Sequence, residues 1–382
     1  MDTNFPYAQH VTAKNFVGRR SDVTLLGNLL SQGEHVCLYE PPKTGKTSLV
    51  QQALYSMRLA GKSFTVGQFS ALNIRSAEEF LLRVGSTAVK MMAATPDAYA
   101  AIARRYLSGT HVVFDNTAFA EKGEVLSTTW TLDDADAEAL LDLPFQLARD
   151  SGQRVILIVD EFHCLSLADP SGALLQKVDE SLKRHKDERQ LSYVFCGSAV
   201  NAMKAIFETS LLFHRRVERV RLSPIDEREL ADQVHRGFLT GGKSVEKELL
   251  YGACRLFRGH PWYINHFASI CDSMTRGYML ESVLVEALGC LIAIHEPRFV
   301  ETVNSLTTHQ INLLRATLEG NTHFSGANVI RRYDLHSSAN VKRVKDALMK
   351  KEVLVFDAQD VPSFEDPLFE YWLRKYFFEM KD

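Results

Sequence analysis

The chain of 382 residues is 46% hydrophobic and 24% charged, which excludes a disordered or collagen-like polymer and gives length for two to three domains. A formal charge of −3 excludes a uniformly basic nucleic-acid binder, so any such contact has to come from a local patch. Six cysteines, mostly within apolar segments and never in CxxC pairs, read as reduced core thiols rather than a disulfide or zinc framework, and with no bilayer-length apolar run or leader-like N-terminus the expectation is a cytoplasmic, non-membrane protein.

Along the chain, Ser21 is placed to cap a helix with the apolar face Val23, Leu26, Leu29 and Leu30. The turn before it, Phe16-Val17-Gly18, fits either a cover for an adenine ring or a hydrophobic staple. The apolar run His35 to Tyr39 predicts a strand, Leu49 to Leu59 a helix, and between them stands Glu-Pro-Pro-Lys-Thr-Gly-Lys-Thr-Ser, residues 40 to 48. A tight loop at a helix N-terminus aims several backbone N–H groups and the positive end of the helix dipole at one anion. Lys46 is then expected to reach the outer phosphates of a nucleotide and the Thr47 hydroxyl to ligate Mg²⁺, with Pro42, Lys43, Thr44, Gly45 and Ser48 completing the loop. The usual pattern GxxxxGK[ST] opens on glycine, whereas here Glu40 holds that place.

Ser63 to Ser70 reads as a second strand and Ser76 to Met92 as a helix with the box-like start Ser-Ala-Glu-Glu. From 93 to 143 an insertion is expected. It carries a hairpin of Val112 to Asp115 with Val125 to Leu132, an acidic segment Asp133 to Glu138, and the beginning of a helix over Leu140 to Arg149. Arg154-Val-Ile-Leu-Ile-Val-Asp-Glu-Phe-His163 is apolar on both faces, the signature of a central parallel strand, and it ends in two carboxylates where such sheets present ligands. Asp160 is placed to hold Mg²⁺ and Glu161 to polarise the attacking water. Another strand, Ser192 to Cys196, brings Ser198 to the same rim. There it fits either a helix cap or a contact with the γ-phosphate, a role known as sensor 1. Arg215 and Arg216 precede a short strand and fit either stabilisation of transition-state charge, in cis or from a neighbouring subunit, or a structural salt bridge.

Taken together, Phe16-Val-Gly-Arg-Arg, the Gly-Lys-Thr-Ser-Leu loop, Val159-Asp-Glu-Phe, Gly197-Ser198, Gly259-His-Pro-Trp-Tyr-Ile and Asp366-Pro-Leu-Phe-Glu-Tyr-Trp-Leu resemble the archaeal-type ATPases of the AAA+ and STAND branch of P-loop NTPases. They are also similar to archaeal origin-recognition ATPases. The resemblance covers nearly the whole chain in order. It implies an α/β fold, a three-layer P-loop NTPase domain with a parallel sheet in the order 5-1-4-3-2 over residues 1–225, then a helical lid over 226–300 and a winged helix over 301–382. It also implies that Val17, Gly18 and Arg19 help to bind ATP, and that His260 and Pro261 of the lid touch phosphates and adenine. Read without the resemblance, Gly259-His260-Pro261 is a helix stop followed by a helix start. His163 stands where relatives often carry glutamine.

Lid helices are expected over Arg228 to Leu239, Val245 to Phe257 and Pro261 to Arg276. In the last eighty residues, helices over 307–318, 325–333 and 337–351 precede a hairpin of 353–357 with 361–364. Arg331, Arg332, Lys342, Arg343, Lys345, Lys350 and Lys351 then form either a DNA-contacting face over 331–351 or the solvated side of a helix. The function expected is an ATP-operated, Mg²⁺-dependent switch that binds ATP and ADP, signals to a protein partner and is capable of self-association. The alternative is a DNA-binding winged-helix protein with a structural nucleotide site.

Overall fold

A computed structural model describes residues 4–357 and 359–380. By its internal contacts the chain forms two compact units, one of residues 21–40 and 53–222 and one of residues 1–20, 41–52 and 223–382.

The first unit is built on five strands: β1 (His35–Tyr39), β2 (Thr65–Ser70), β3 (Val155–Asp160), β4 (Leu191–Gly197) and β5 (Val217–Arg219). They lie in the order β2-β3-β4-β1-β5 and every pairing is parallel, which is the expected 5-1-4-3-2 sheet. Every residue of β1 and β4 is buried, as is β3 from Val155 to Val159. A strand buried throughout has both faces covered, and its side chains therefore have no polar alternation. In register, Ser70 pairs with Asp160, Val159 with Phe195 and Tyr39 with Gly197, so the C-terminal ends of the central strands form one row.

Helix α1 (Arg20–Gln32) buries Leu26 and Leu30 and starts one residue before the expected cap, which leaves Ser21 inside its first turn. Helix α2 (Lys46–Leu59) follows the loop after β1, and α3 (Ala77–Met92) follows β2. Ser76 caps α3 by accepting from Glu79 N at 3.1 Å, but the Glu79 carboxylate returns to Arg75 N, one residue before the position of a standard capping box.

The insertion departs from expectation. Its hairpin shrinks to Val112–Val113 against Ser127–Thr128, while two unexpected helices appear, α4 (Pro96–Tyr106) and α5 (Asn116–Lys122). The start of α4 was legible: Thr95 caps it and Pro96 opens it, where a missing N–H costs nothing. The acidic segment is the first turn of α6 (Asp134–Ser151), where Asp133 and Asp136 exchange capping-box bonds of 2.9 Å. Carboxylates there favour the positive end of the helix. Helix α3 runs so near α6 that a Cβ on Gly85 would sit 2.5 Å from Leu140 Cδ2. Helix α7 (Ala173–Arg184) precedes β4.

The second unit holds α8 (Glu227–Thr240), α9 (Lys247–Leu256), α10 (Pro261–Met274) and α11 (Glu281–Asn304), then α12 (Thr308–Leu318), α13 (Ala327–Arg332), α14 (Ser338–Lys350), strands β6 (Leu354–Phe356) and β7 (Pro362–Phe364), and α15 (Pro367–Trp372). Thr307 and Ser337 cap α12 and α14, and β6 pairs antiparallel with β7 as the expected wing. One apolar core runs from Phe5 through Phe257, Leu291 and Leu314 to Trp372. Helix α11 contributes Leu284, Leu291, Phe299 and Val303 to it and continues through Pro297, a residue that reads as a stop in sequence. No helix among the described residues is long and apolar enough to cross a membrane.

Buried His35 accepts a hydrogen bond from Tyr193 N on Nδ1 at 3.0 Å, and burial, aided by Arg189, lowers its pKa to about 4. Unfolding releases the ring to titrate near 6.5, so between pH 6.5 and 4 the unfolded chain binds the extra proton and stability falls as the medium is acidified. Urea titrations across that window should show a His35→Asn variant losing less stability on acidification, by up to about 1.4 kcal/mol for each pH unit that one proton spans. Equal slopes in the two proteins would contradict this assignment.

Candidate functional site

The loop that follows β1 is held by side chains. Pro41 O accepts from Lys46 Nζ at 2.9 Å and from Thr44 Oγ1 at 2.8 Å, Thr44 O from Arg19 Nη1 at 2.6 Å, and Pro42 O from His260 Nε2 at 3.2 Å. Its left-handed turns fall at Lys43 (φ 63°) and Gly45 (φ 102°). Glu40 takes no positive φ, so this chain makes no use of a first glycine's conformational freedom there. Lys46 opens α2 and is 8% exposed, while Thr47 beside it is exposed on the same first turn.

Around this loop the structure gathers most of the expected binding residues. Arg19 also donates from Nε to Ser223 O at 2.7 Å, so it buckles the loop to the segment before α8. Phe16, Val17, Ile225, Leu230 and Pro261 line an apolar slot with the amides Asn15, Gln233 and Asn265 at its edge; Gly45 and Ser48 belong to it as well. Gly18 turns the chain there with φ 65°, and Ile225 Cγ2 would lie 3.2 Å from a Cβ at that position. A second cleft, lined by Tyr7 to His10, Lys43, Lys46, Thr47 and Trp262, shares Gly45 and Ser48 with the slot. Slot and cleft therefore make one groove, apolar at one end and lined by two lysines at the other.

The stop-and-start reading of Gly259-His260-Pro261 holds: Gly259 has φ 68°, His260 is the cap of α10 and Pro261 its first residue. His260 donates from Nε2 to a carbonyl and accepts on Nδ1 from Tyr263 N at 3.4 Å, the pattern of a neutral ring. Burial brings its pKa down to about 4 against the opposing pull of Asp366. The Lys43 ammonium lies 3.5 Å from the centre of the Trp262 ring, and its pKa is lowered by burial and then by Arg298.

Next to Trp262, the Tyr263 hydroxyl donates to the Asp366 carboxylate at 2.8 Å, and Arg298 Nη2 reaches the same carboxylate at 2.6 Å. Asp366 in turn caps α15 by accepting from Leu368 N and Phe369 N. Trp262, Tyr263, Gln233, Asn265 and the segment 7–10 had no assigned role in the sequence. The quoted Pro-Trp-Tyr string held the only signal for the first two.

In the sheet unit, Asp160 ends β3 and Glu161 follows in the left-handed conformation, φ 52° and ψ 41°. Glu161 Oε2 accepts from Ser198 N at 3.0 Å and Ser198 Oγ at 2.8 Å, and His163 Nδ1 stands 3.4 Å from it. Ser198 thus orients Glu161. Arg216 makes a bidentate pair with Asp179 at 2.6 to 2.8 Å, and Phe213 N donates to the same carboxylate, so this arginine anchors its own loop. Arg215, at φ 57°, is exposed. In the last domain Lys345 pairs with Asp360, Arg332 with Glu319, and Lys351 donates to Ser305 O at 2.7 Å, while Arg331, Lys342, Arg343 and Lys350 are exposed.

A family model described as "Probable winged helix domain" matches residues 297–375. No curated protein matches the chain in sequence. Among solved structures, the Walker-type ATPase of Pyrococcus abyssi is similar with a TM-score of 0.68 at 15% identity, over 97% of this chain and 100% of that one. The Aeropyrum pernix ORC2 protein in its ADPNP-ADP complexes is similar with a TM-score of 0.61 at 14% identity, over 96% of this chain and 93% of that one. At such identities the likeness speaks for architecture: the chain has the fold of the archaeal Walker-type ATPases and ORC proteins and carries a winged-helix domain at its C-terminal end.

Proposed function

We propose that the chain binds ATP with Mg²⁺ in the groove of Gly45 and Ser48 and hydrolyses it as a conformational switch of the AAA+/STAND kind. The carrying observation is that groove. Its slot offers the apolar side chains Phe16, Val17 and Pro261 to a base, and its other end offers Lys43, Lys46 and the first turn of α2 to phosphates.

In this reading Val17 and Pro261 cover the base, with Gly18 and Arg19 shaping the turn, and the loop from Pro42 to Ser48 cradles the phosphates. Lys46 neutralises the outer ones, and His260 approaches them from the lid. Thr47, an exposed hydroxyl at a helix start, and Asp160 are the groups that would hold Mg²⁺, which shields phosphate charge. Glu161 takes a proton from water, oriented for that by Ser198. Arg215, exposed where Arg216 is paired, is the candidate to act on the γ-phosphate of a neighbouring copy. Residues 1–225 then form the ATPase body, 226–300 the lid and 301–382 the winged helix. The switch runs from Pro42 and Lys43 to His260 and Trp262, and from Tyr263 to Asp366 at the start of α15. ATP and ADP are the ligands, and a protein partner reads the result.

A second reading has its own observation: Arg331, Lys342, Arg343 and Lys350 are exposed on or next to α14. It makes the chain a DNA-binding protein with a nearly inactive nucleotide site.

Phosphate-release assays separate the two. Lys46→Ala should abolish both binding and release, and Glu161→Gln should lower release by about 100-fold or more while ATP still binds. A wild-type protein that releases no phosphate yet shifts duplex DNA with a steep salt dependence would overturn the switch reading. Asp366→Ala, which removes a cap and strips Tyr263 and Arg298 of their acceptor, should cost about 2 kcal/mol in urea unfolding. It should also erase any nucleotide-dependent protection of α15 amides in hydrogen exchange; protection equal to wild type would show that the signal takes another route.

A further inference from the structure

Residues 4–15 have no part in the sequence reading of the nucleotide loop, yet they are fastened on both sides of it. Phe5 is 3% exposed in the core of the second unit, its ring 4.6 Å from that of Phe238 on α8. Gly237 makes room for it, since a Cβ there would lie 2.5 Å from Phe5 Cε1. Tyr7 stacks on His266 of α10 at 4.3 Å and 12°. Past these two anchors the segment crosses to α2, where Val11 N donates to Ser48 Oγ at 3.1 Å and Ala13 N to Gln52 Oε1 at 2.7 Å.

Between the two sets of fastenings, Tyr7 to His10 are a wall of the phosphate cleft, and Pro6 and Val11 line the base slot. The segment therefore borders both parts of the groove. It contains no helix or strand before Ala13, so little besides its fastenings holds it down. A nucleotide lying in the groove has this segment as one of its boundaries, and opening that boundary requires Phe5 and Tyr7 to leave their sockets.

We infer that residues 4–15 form a strap that gates nucleotide exchange, with Phe5 and Tyr7 as positioning residues that set how long a nucleotide stays bound. This inference rests on the nucleotide reading of the groove. A gate differs from an ordinary contact in kinetics: loosening it speeds entry as well as departure, whereas losing a contact speeds departure alone.

The test is stopped-flow exchange of a fluorescent N-methylanthraniloyl ADP on the full chain. Three variants are compared: Phe5→Ala, Tyr7→Ala, and Gly237→Leu, which evicts Phe5 without changing any residue that lines the groove. Association and dissociation rates should both rise about five- to tenfold in each, the scale of one lost aromatic packing interaction, so that the dissociation constant moves less than either rate. Tyr7 is half-buried and tolerates truncation, which guards against a variant that simply fails to fold. Labelled ADP that binds the wild type, with rates unchanged in Tyr7→Ala and Gly237→Leu, would overturn the strap alone. Failure of the wild type to bind any nucleotide would overturn the nucleotide reading and the strap together.

Discussion

The arrangement of the groove depends on where the carbonyls of a short loop go. A backbone that cradles an anion turns its N–H groups inward and must dispose of its C=O groups elsewhere. Here Pro41, Pro42 and Thr44 each give a carbonyl to a side chain: the loop's own Lys46 and Thr44, Arg19 from upstream, and His260 from more than two hundred residues downstream. Distant pieces of the chain thereby help to fix the loop's conformation, whose left-handed turns fall at Lys43 and Gly45 and not at Glu40. Neutral His260 is part of that fixing, because its Nε2–H is the donor to Pro42 while its other nitrogen caps α10.

The same few residues connect the loop to the last domain. Trp262 and Tyr263 follow His260 by two and three positions, so one helical turn presents an aromatic face to Lys43 and a hydroxyl to Asp366. Asp366 is both the cap of α15 and the counter-charge of Arg298. Charged hydrogen bonds of this kind are stronger than neutral ones, and a carboxylate that serves three purposes cannot shift without disturbing all of them.

Much of this was legible in the residues. Strands buried on both faces announce themselves as unbroken aliphatic runs, as Val155 to Val159 does, and their order followed from the resemblance. The loop's strand-loop-helix setting was readable as well, since Lys46 and Thr47 open α2 directly after the turn that leaves β1. What was not legible depends on distant partners. Nothing near Arg216 in sequence tells that Asp179 claims it. Nothing near Phe5 tells that Gly237 leaves it a socket. In the insertion the acidic segment was set apart from the helix expected from Leu140, whereas aspartates at 133, 134 and 136 are its cap and first turn, a placement the helix dipole favours. Helix α11 was not among the expected helices, and it runs on through Pro297, a residue that costs a helix one backbone hydrogen bond, with core residues on either side of it.

That unbroken α11 has a mechanical consequence. Twenty-four residues at 1.5 Å rise make a rod of about 36 Å. Leu284 and Leu291 sit in the shared apolar core on its first half, and on its second half Phe299 packs against Trp372. A continuous helix shared by the helices before it and the winged-helix domain after it leaves no flexible linker between them, which resists independent swivelling. The proline two-thirds of the way along removes one rung of the backbone ladder, which makes it the natural place for the beam to flex under load.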